Sequence, residues 1–240
     1  NHGQSLAFAA RALGIKATIF VPQGNSTEKN AAMRALGAEL VETGHDFQAA
    51  REAAEEAAAA RGLHMVPSFH ELLVRGVATY PLELFRAVPD LDTVYVPIGL
   101  GSGISATIAA RDALKLRTKI VGVVAEGAAA YQLSFAAGWP VATERAESLA
   151  DGMACRVPEP EAVAIVNRGA ERIVSLSEAE IAGAMRALYR GCHNLAEGAG
   201  AAAYGALLKE REAMRGKKVG VVLSGGNVDA ATFREVLAGA

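Results

Sequence analysis

The sequence predicts an α/β fold in which a mainly parallel sheet is covered by helices. Strand-like and helix-like segments alternate from end to end over 240 residues. The strand-like runs are short, apolar and closed by Gly or Pro. Half of the residues are hydrophobic, chiefly Ala, Val and Leu, which supplies a sizeable core.

Each element has a local reason. Ser5–Leu13 carries helical spacing and stops at Gly14, a usual helix terminator. Ala17–Val21 is a short buried strand closed by Pro22, and Ser26 or Thr27 caps a helix through Ala35 that ends at Gly37. Glu39–Glu42 is strand-like, and Asp46–Arg61 is a long Ala/Glu/Arg helix with i,i+4 charge pairs. Leu63–Val66 is expected to be another strand, ending at Pro67. A longer helix follows from His70 to Arg86. Further strands are expected at Thr93–Ile98, Ile120–Val124, Arg172–Leu176 and Lys218–Leu223. Helices are expected at Ser102–Ala113, Ala128–Ala137, Glu159–Arg168, Glu178–Tyr189, Gly198–Arg215 and Ala230–Ala238. Residues 138–158 read as a long irregular connection, a length that often accompanies function. The divided pattern suggests a small domain over 1–68 and a large one over 69–240, the large one lacking its upstream strands.

Composition narrows the functions. Aromatics are 5% of the chain, net charge is −2 and no basic run occurs, so nucleic acid and anionic membrane are unexpected partners. Cys155 and Cys192 are isolated thiols without metal-ligand spacing, as in a cytoplasmic protein. No apolar window reaches the length of a membrane span.

Three glycine-bearing loops carry the chemistry. The apolar run to Ile98 ends in Gly99-Leu100-Gly101-Ser102-Gly103, immediately before a helix. Such a turn leaves backbone N–H groups unpaired at a helix N-terminus, where an anion such as phosphate is stabilised. The spacing fits neither the dinucleotide fingerprint nor the phosphate loop that ends in Gly-Lys. A tight turn without a ligand is the alternative. The second loop is Asn1-His2-Gly3-Gln4, ahead of an Ala-rich helix, and the third is Ser224-Gly225-Gly226-Asn227, after the last strand. Ligands in open α/β sheets sit beyond the carboxyl ends of strands, so the three loops are expected to converge on one pocket.

These motifs resemble the fold-type-II pyridoxal-phosphate enzymes, in the serine/threonine dehydratase and serine racemase branch. The matching pieces also include Val21-Pro22 with Glu28-Lys29-Asn30, Gly37-Ala38-Glu39, Ala150-Asp151-Gly152, Glu197-Gly198 and Val228-Asp229, in family order across nearly the whole chain. The resemblance implies a tryptophan synthase β-like fold of two three-layer α/β/α domains, pyridoxal 5′-phosphate as cofactor and a homodimer. It implies removal of water from threonine or serine, giving 2-oxobutanoate or pyruvate and ammonia. Serine racemase and 3-hydroxyaspartate dehydratase share the scaffold, and a fragment acting only in binding or assembly is a reading of another class.

The resemblance also implies residue roles. Gly99, Leu100, Gly101, Ser102 and Gly103 would cradle the phosphate; Leu100 and Ser102 replace two of the family's run of glycines, and Ser102 adds a hydroxyl. Asn1 would bond the cofactor's 3′ oxygen, and Asn1, His2 and Gly3 would hold the substrate carboxylate, with Gly152 beside it. Ser224, with Gly225 behind it, would meet the pyridine nitrogen, and Glu197 would lie behind the ring. The family's Schiff-base lysine sits in a Ser-Phe-Lys-like motif upstream of the asparagine loop. None of Lys16, Lys29, Lys115, Lys119, Lys209, Lys217 and Lys218 lies in such a motif, so no catalytic lysine is assigned within the chain, which is expected to be N-terminally truncated and inactive by itself. After Ile120–Val124 only Glu126 is acidic, so no tight divalent metal site is expected. Neither a regulatory domain after Asn227 nor feedback inhibition is expected.

Overall fold

The computed structural model describes residues 1–239 and divides into two compact units. The first comprises Asn1–Ser68 together with residues from Asn227 onward, and the second is Phe69–Gly226.

In the first unit α1 (His2–Leu13), β1 (Thr18–Val21), α2 (Thr27–Ala35), β2 (Glu39–Glu42) and α3 (Phe47–Arg61) follow one another. The strands β1 and β2 pair in parallel, with Ile19 opposite Leu40. Ala7, Ile19, Val21 and Met33 form the core between helices and sheet. Ser26 caps α2 and Asp46 caps α3, each accepting from the backbone N–H three residues on.

Leu63–Val66, expected as a strand, is irregular backbone. Leu63 and Val66 are substantially exposed, and the described sheet of this unit has only β1 and β2 to offer as partners. Without a buried face or a ladder partner, four apolar-leaning residues have nothing to hold them extended.

The second unit opens with α4 (Glu71–Val77) and α5 (Thr79–Ala87), where one continuous helix was expected. Pro81 has no N–H to offer the Val77 carbonyl, so the ladder breaks one turn before it. Thr79 Oγ1 donates instead to the Gly76 carbonyl at 2.9 Å, and Pro81 falls in the first turn of α5, where no N–H is needed.

Then come β3 (Thr93–Pro97), α6 (Ser102–Ala113), β4 (Lys119–Ala125), α7 (Ala130–Ala137), α8 (Pro160–Gly169), β5 (Arg172–Leu176), α9 (Glu178–Cys192), α10 (Gly198–Lys209) and β6 (Val219–Val221). Helix α10 stops six residues before the expected Arg215 and continues in turns to Gly216, whose φ is +76°. The last helix, α11 (Ala230–Leu237), packs in the first unit: Asp229 accepts from the Thr27 N–H at 3.2 Å and Glu28 from the Ala230 N–H at 2.8 Å. Residues 227–239 therefore do not stay with the large domain to which their position in sequence assigned them.

The four strands of the second unit are parallel in the order β5-β4-β3-β6. Strands β3 and β4 are buried nearly throughout, as in a parallel sheet covered on both faces. Val94, Val96 and Ile98 alternate onto one face and pack with Ile104 and Ile108 of α6. Tyr95 points to the other face, where its hydroxyl donates to Glu210 just beyond α10, and Arg172 grips the same carboxylate through Nε at 2.9 Å.

Candidate functional site

The order of strands reverses at β3, with β4 on one side and β6 on the other. In open α/β sheets, ligands bind outside the carboxyl ends of the strands at such a reversal. The 99–103 loop leaves β3, and Ser224-Gly225-Gly226 follows β6, so both lie beyond the carboxyl ends of two neighbouring parallel strands.

The loop turns sharply at Gly101, which has φ +95° and serves as the N-cap of α6. That left-handed backbone suits glycine alone without strain. A side chain there would also collide, since a Cβ would lie 2.7 Å from the Ala162 Cβ and 2.9 Å from the Tyr131 hydroxyl. Tyr131 fixes the turn from behind by donating its O–H to the Leu100 carbonyl at 2.7 Å while accepting from the Glu159 N–H at 3.3 Å. Burial raises the Tyr131 pKa far above the usual tyrosine value, so the hydroxyl stays a donor at any physiological pH. The amides of Ser102, Gly103 and Ile104 open α6 and have no acceptor within the helix. A Cβ on Gly103 would make ordinary contacts, at 3.6 Å to the Tyr80 hydroxyl and 3.9 Å to Val96.

Behind the loop, backbone meets backbone. A Cβ on Gly99 would lie 2.3 Å from the Gly152 carbonyl oxygen. A Cβ on Gly152 would touch Ala199 at 3.2 Å, and one on Gly200 would lie 2.1 Å from the Gly225 carbonyl oxygen. The Glu197 N–H donates to that same Gly225 carbonyl at 3.1 Å, and Glu197 itself is buried. The chain thus juxtaposes Gly99, Gly152, Glu197 and Gly225, with Ser224 exposed at the edge of the seam. The small residues of α10 permit this approach, and its N-terminus meets the turn that carries Ser224.

Asn1, His2 and Gly3 open α1 in the first unit. A Cβ on Gly3 would lie 2.7 Å from Met33 Sδ, so glycine lets α1 sit close on α2. His2 Nε2 is buried and has no hydrogen-bond partner among the described residues, and burial lowers the imidazole pKa, which favours a neutral ring. Asn227, quoted from sequence only as part of a motif, donates from Nδ2 to Asn1 Oδ1 at 2.8 Å and to Gln4 Oε1 at 2.7 Å. No pattern in the sequence announces a bond across 226 positions. The role of Tyr131 behind the loop was equally unannounced.

The donor set of the second unit fits a phosphorylated cofactor: a helix N-terminus, a glycine turn held from behind and the Ser102 hydroxyl. Among the described residues no cluster of three or more His, Cys, Asp or Glu is placed to hold a metal ion, and no helix is long and apolar enough to cross a membrane.

Comparison with known proteins adds a family. The sequence model of a family described as pyridoxal-phosphate dependent enzyme matches residues 1–225. A Sinorhizobium fredii protein provisionally named threonine dehydratase is 37% identical over 100% of this chain and 73% of its own length. The L-threonine ammonia-lyase of Geobacter sulfurreducens is 36% identical over 99% of this chain, which spans 59% of that relative. Among solved structures, the processed form of threonine deaminase isoform 2 from Solanum lycopersicum superposes with a TM-score of 0.90 at 29% identity, covering 100% of this chain and 71% of that one.

Proposed function

The chain belongs to the pyridoxal-phosphate dependent enzyme family, of fold type II, and from that premise we propose that its protein removes water and ammonia from L-threonine or L-serine. The products are 2-oxobutanoate or pyruvate. The observation that carries the reading is the Gly101 turn at the N-terminus of α6, beside the Ser224 loop where the strand order reverses. The threonine ammonia-lyase name of the Geobacter relative supports the substrate class.

When bound, pyridoxal 5′-phosphate supplies an electron-withdrawing ring that acidifies the Cα–H of the amino acid. In this proposal the chain's own groups do the rest. The amides of Gly99, Leu100, Gly101, Ser102 and Gly103 hold the phosphate dianion, and the Ser102 hydroxyl adds a donor. Ser224 donates its O–H to the ring nitrogen. A neutral hydroxyl does not hold that nitrogen protonated as a carboxylate would, and the weaker electron sink suits loss of the β-hydroxyl. Glu197 steadies the Ser224 turn through its N–H on Gly225. Asn1 donates to the phenolic oxygen, while Asn1, His2 and Gly3 orient the substrate carboxylate with Gly152 beside it.

No lysine of residues 1–240 is assigned the proton transfer at Cα. Lys119, Lys209 and Lys218 are engaged with Glu171, Glu180 and Asp90. The same reading places the protein in the cytoplasm as a homodimer.

Keto-acid release by the full-length protein tests the proposal. Threonine or serine is expected to yield 2-oxobutanoate or pyruvate with stoichiometric ammonia. Inversion of serine without keto acid, or release from threo-3-hydroxyaspartate alone, would transfer the chain to one of the two neighbouring activities.

A further inference from the structure

Asn1 occupies the N-cap of α1, a position where an asparagine side chain normally accepts from the first-turn amides, yet its side chain makes no capping bond. Its Oδ1 is taken instead by Asn227 Nδ2 at 2.8 Å, and the second hydrogen of that amide goes to Gln4 Oε1 at 2.7 Å. Asn1 and Gln4 stand three residues apart and share a face of the helix, so a single carboxamide bridges both.

Asn227 is itself held in place. Two residues on, Asp229 bonds the Ser26 hydroxyl and accepts from the Thr27 N–H at 3.2 Å, and the Ala230 N–H donates to Glu28 Oε1 at 2.8 Å. Helices α2 and α11 thereby cap each other's N-termini, and the segment carrying Asn227 is tied down directly after it.

We propose that Asn227 is the positioning residue for Asn1: by occupying Oδ1 it sets the carboxamide so that Nδ2 is the end presented to the cofactor's phenolic oxygen. The inference rests on the role given to Asn1 above. An aspartate at 227 could only accept, and would draw Asn1 Nδ2 toward itself, turning the carbonyl end outward.

The experiment is a double-mutant cycle in the full-length protein between Asn227→Ala and Asn1→Ala. It is read by the dissociation constant of pyridoxal 5′-phosphate and by the pH at which the absorption band of the bound cofactor changes. Each single substitution is expected to weaken binding by about fivefold to tenfold, the worth of one hydrogen bond. Each moves the spectral transition to higher pH, because the phenolate loses a donor. The double variant should be no worse than Asn1→Ala, since Asn227 acts through Asn1. Asn227→Asp, close to isosteric, should fold normally and shift the transition further than Asn227→Ala. Additive losses, or an unmoved transition in both Asn227 variants, overturn the inference. An unsubstituted protein that binds no pyridoxal 5′-phosphate overturns the functional reading and this inference with it; normal binding with an additive cycle removes this inference alone.

Discussion

Gly101→Ala separates the backbone demand of the α6 turn from its steric demand. At φ +95° an L side chain carries a strain of about 1–2 kcal/mol. The new methyl would also lie 2.7 Å from the Ala162 Cβ and 2.9 Å from the Tyr131 hydroxyl, and forcing a methyl into a packed site costs about 1–3 kcal/mol more. Gly14→Ala is the control: its φ is +66°, but a Cβ there meets nothing within 4 Å, so only the strain applies. Thermal unfolding should therefore fall by roughly 2–8 °C for Gly14→Ala and roughly 4–20 °C for Gly101→Ala, at about 2–4 °C per kcal/mol for a chain of this size. Cofactor titration should weaken at least about tenfold for Gly101→Ala, through displaced amides at the turn, and not at all for Gly14→Ala. Equal melting and equal cofactor affinity for the two variants would refute the argument that the turn is both packed and aimed at phosphate.

Tyr131→Phe leaves the Leu100 carbonyl and the Glu159 N–H without their shared hydroxyl, so a loss of about 1–3 kcal/mol in denaturant unfolding is expected, with weaker cofactor binding. Ser224→Ala should lower cofactor affinity about tenfold or less with unfolding unchanged, since Ser224 is exposed; a large drop in melting temperature would give Ser224 a structural role instead. Arg172 bonds hold the Glu210 carboxyl below its usual range, with burial opposing them. A depressed carboxylate contributes stability above its unfolded value that disappears as pH falls through the folded one. Glu210→Gln should thus cost about 1–3 kcal/mol at neutral pH and progressively less below about pH 4.5, measured as melting temperature against pH.

What the sequence shows and hides follows from range. The strand, the glycine turn and the helix over 93–113 were legible because their causes are local: β-rich residues to Pro97, glycines, then helix-forming alanines. Family order added the Ser224 loop and Glu197, which the structure joins through Gly225. The break between α4 and α5 was readable from Pro81, which a continuous helix from His70 to Arg86 leaves out of account. Leu63–Val66 failed as a strand because local composition cannot report whether a ladder partner exists. The return of residues 227–239 to the first unit, and the Asn227–Asn1 bond, depend on contacts more than 200 positions apart. Periodicity carries no trace of those.

The most direct measurement is a crystal structure of the full-length protein with pyridoxal 5′-phosphate. Phosphate oxygens accepting from the amides of residues 99–103, with the pyridine nitrogen within hydrogen-bond distance of Ser224 Oγ, is the predicted result. A phosphate bound elsewhere, or a ring nitrogen facing any group other than Ser224, would contradict the account.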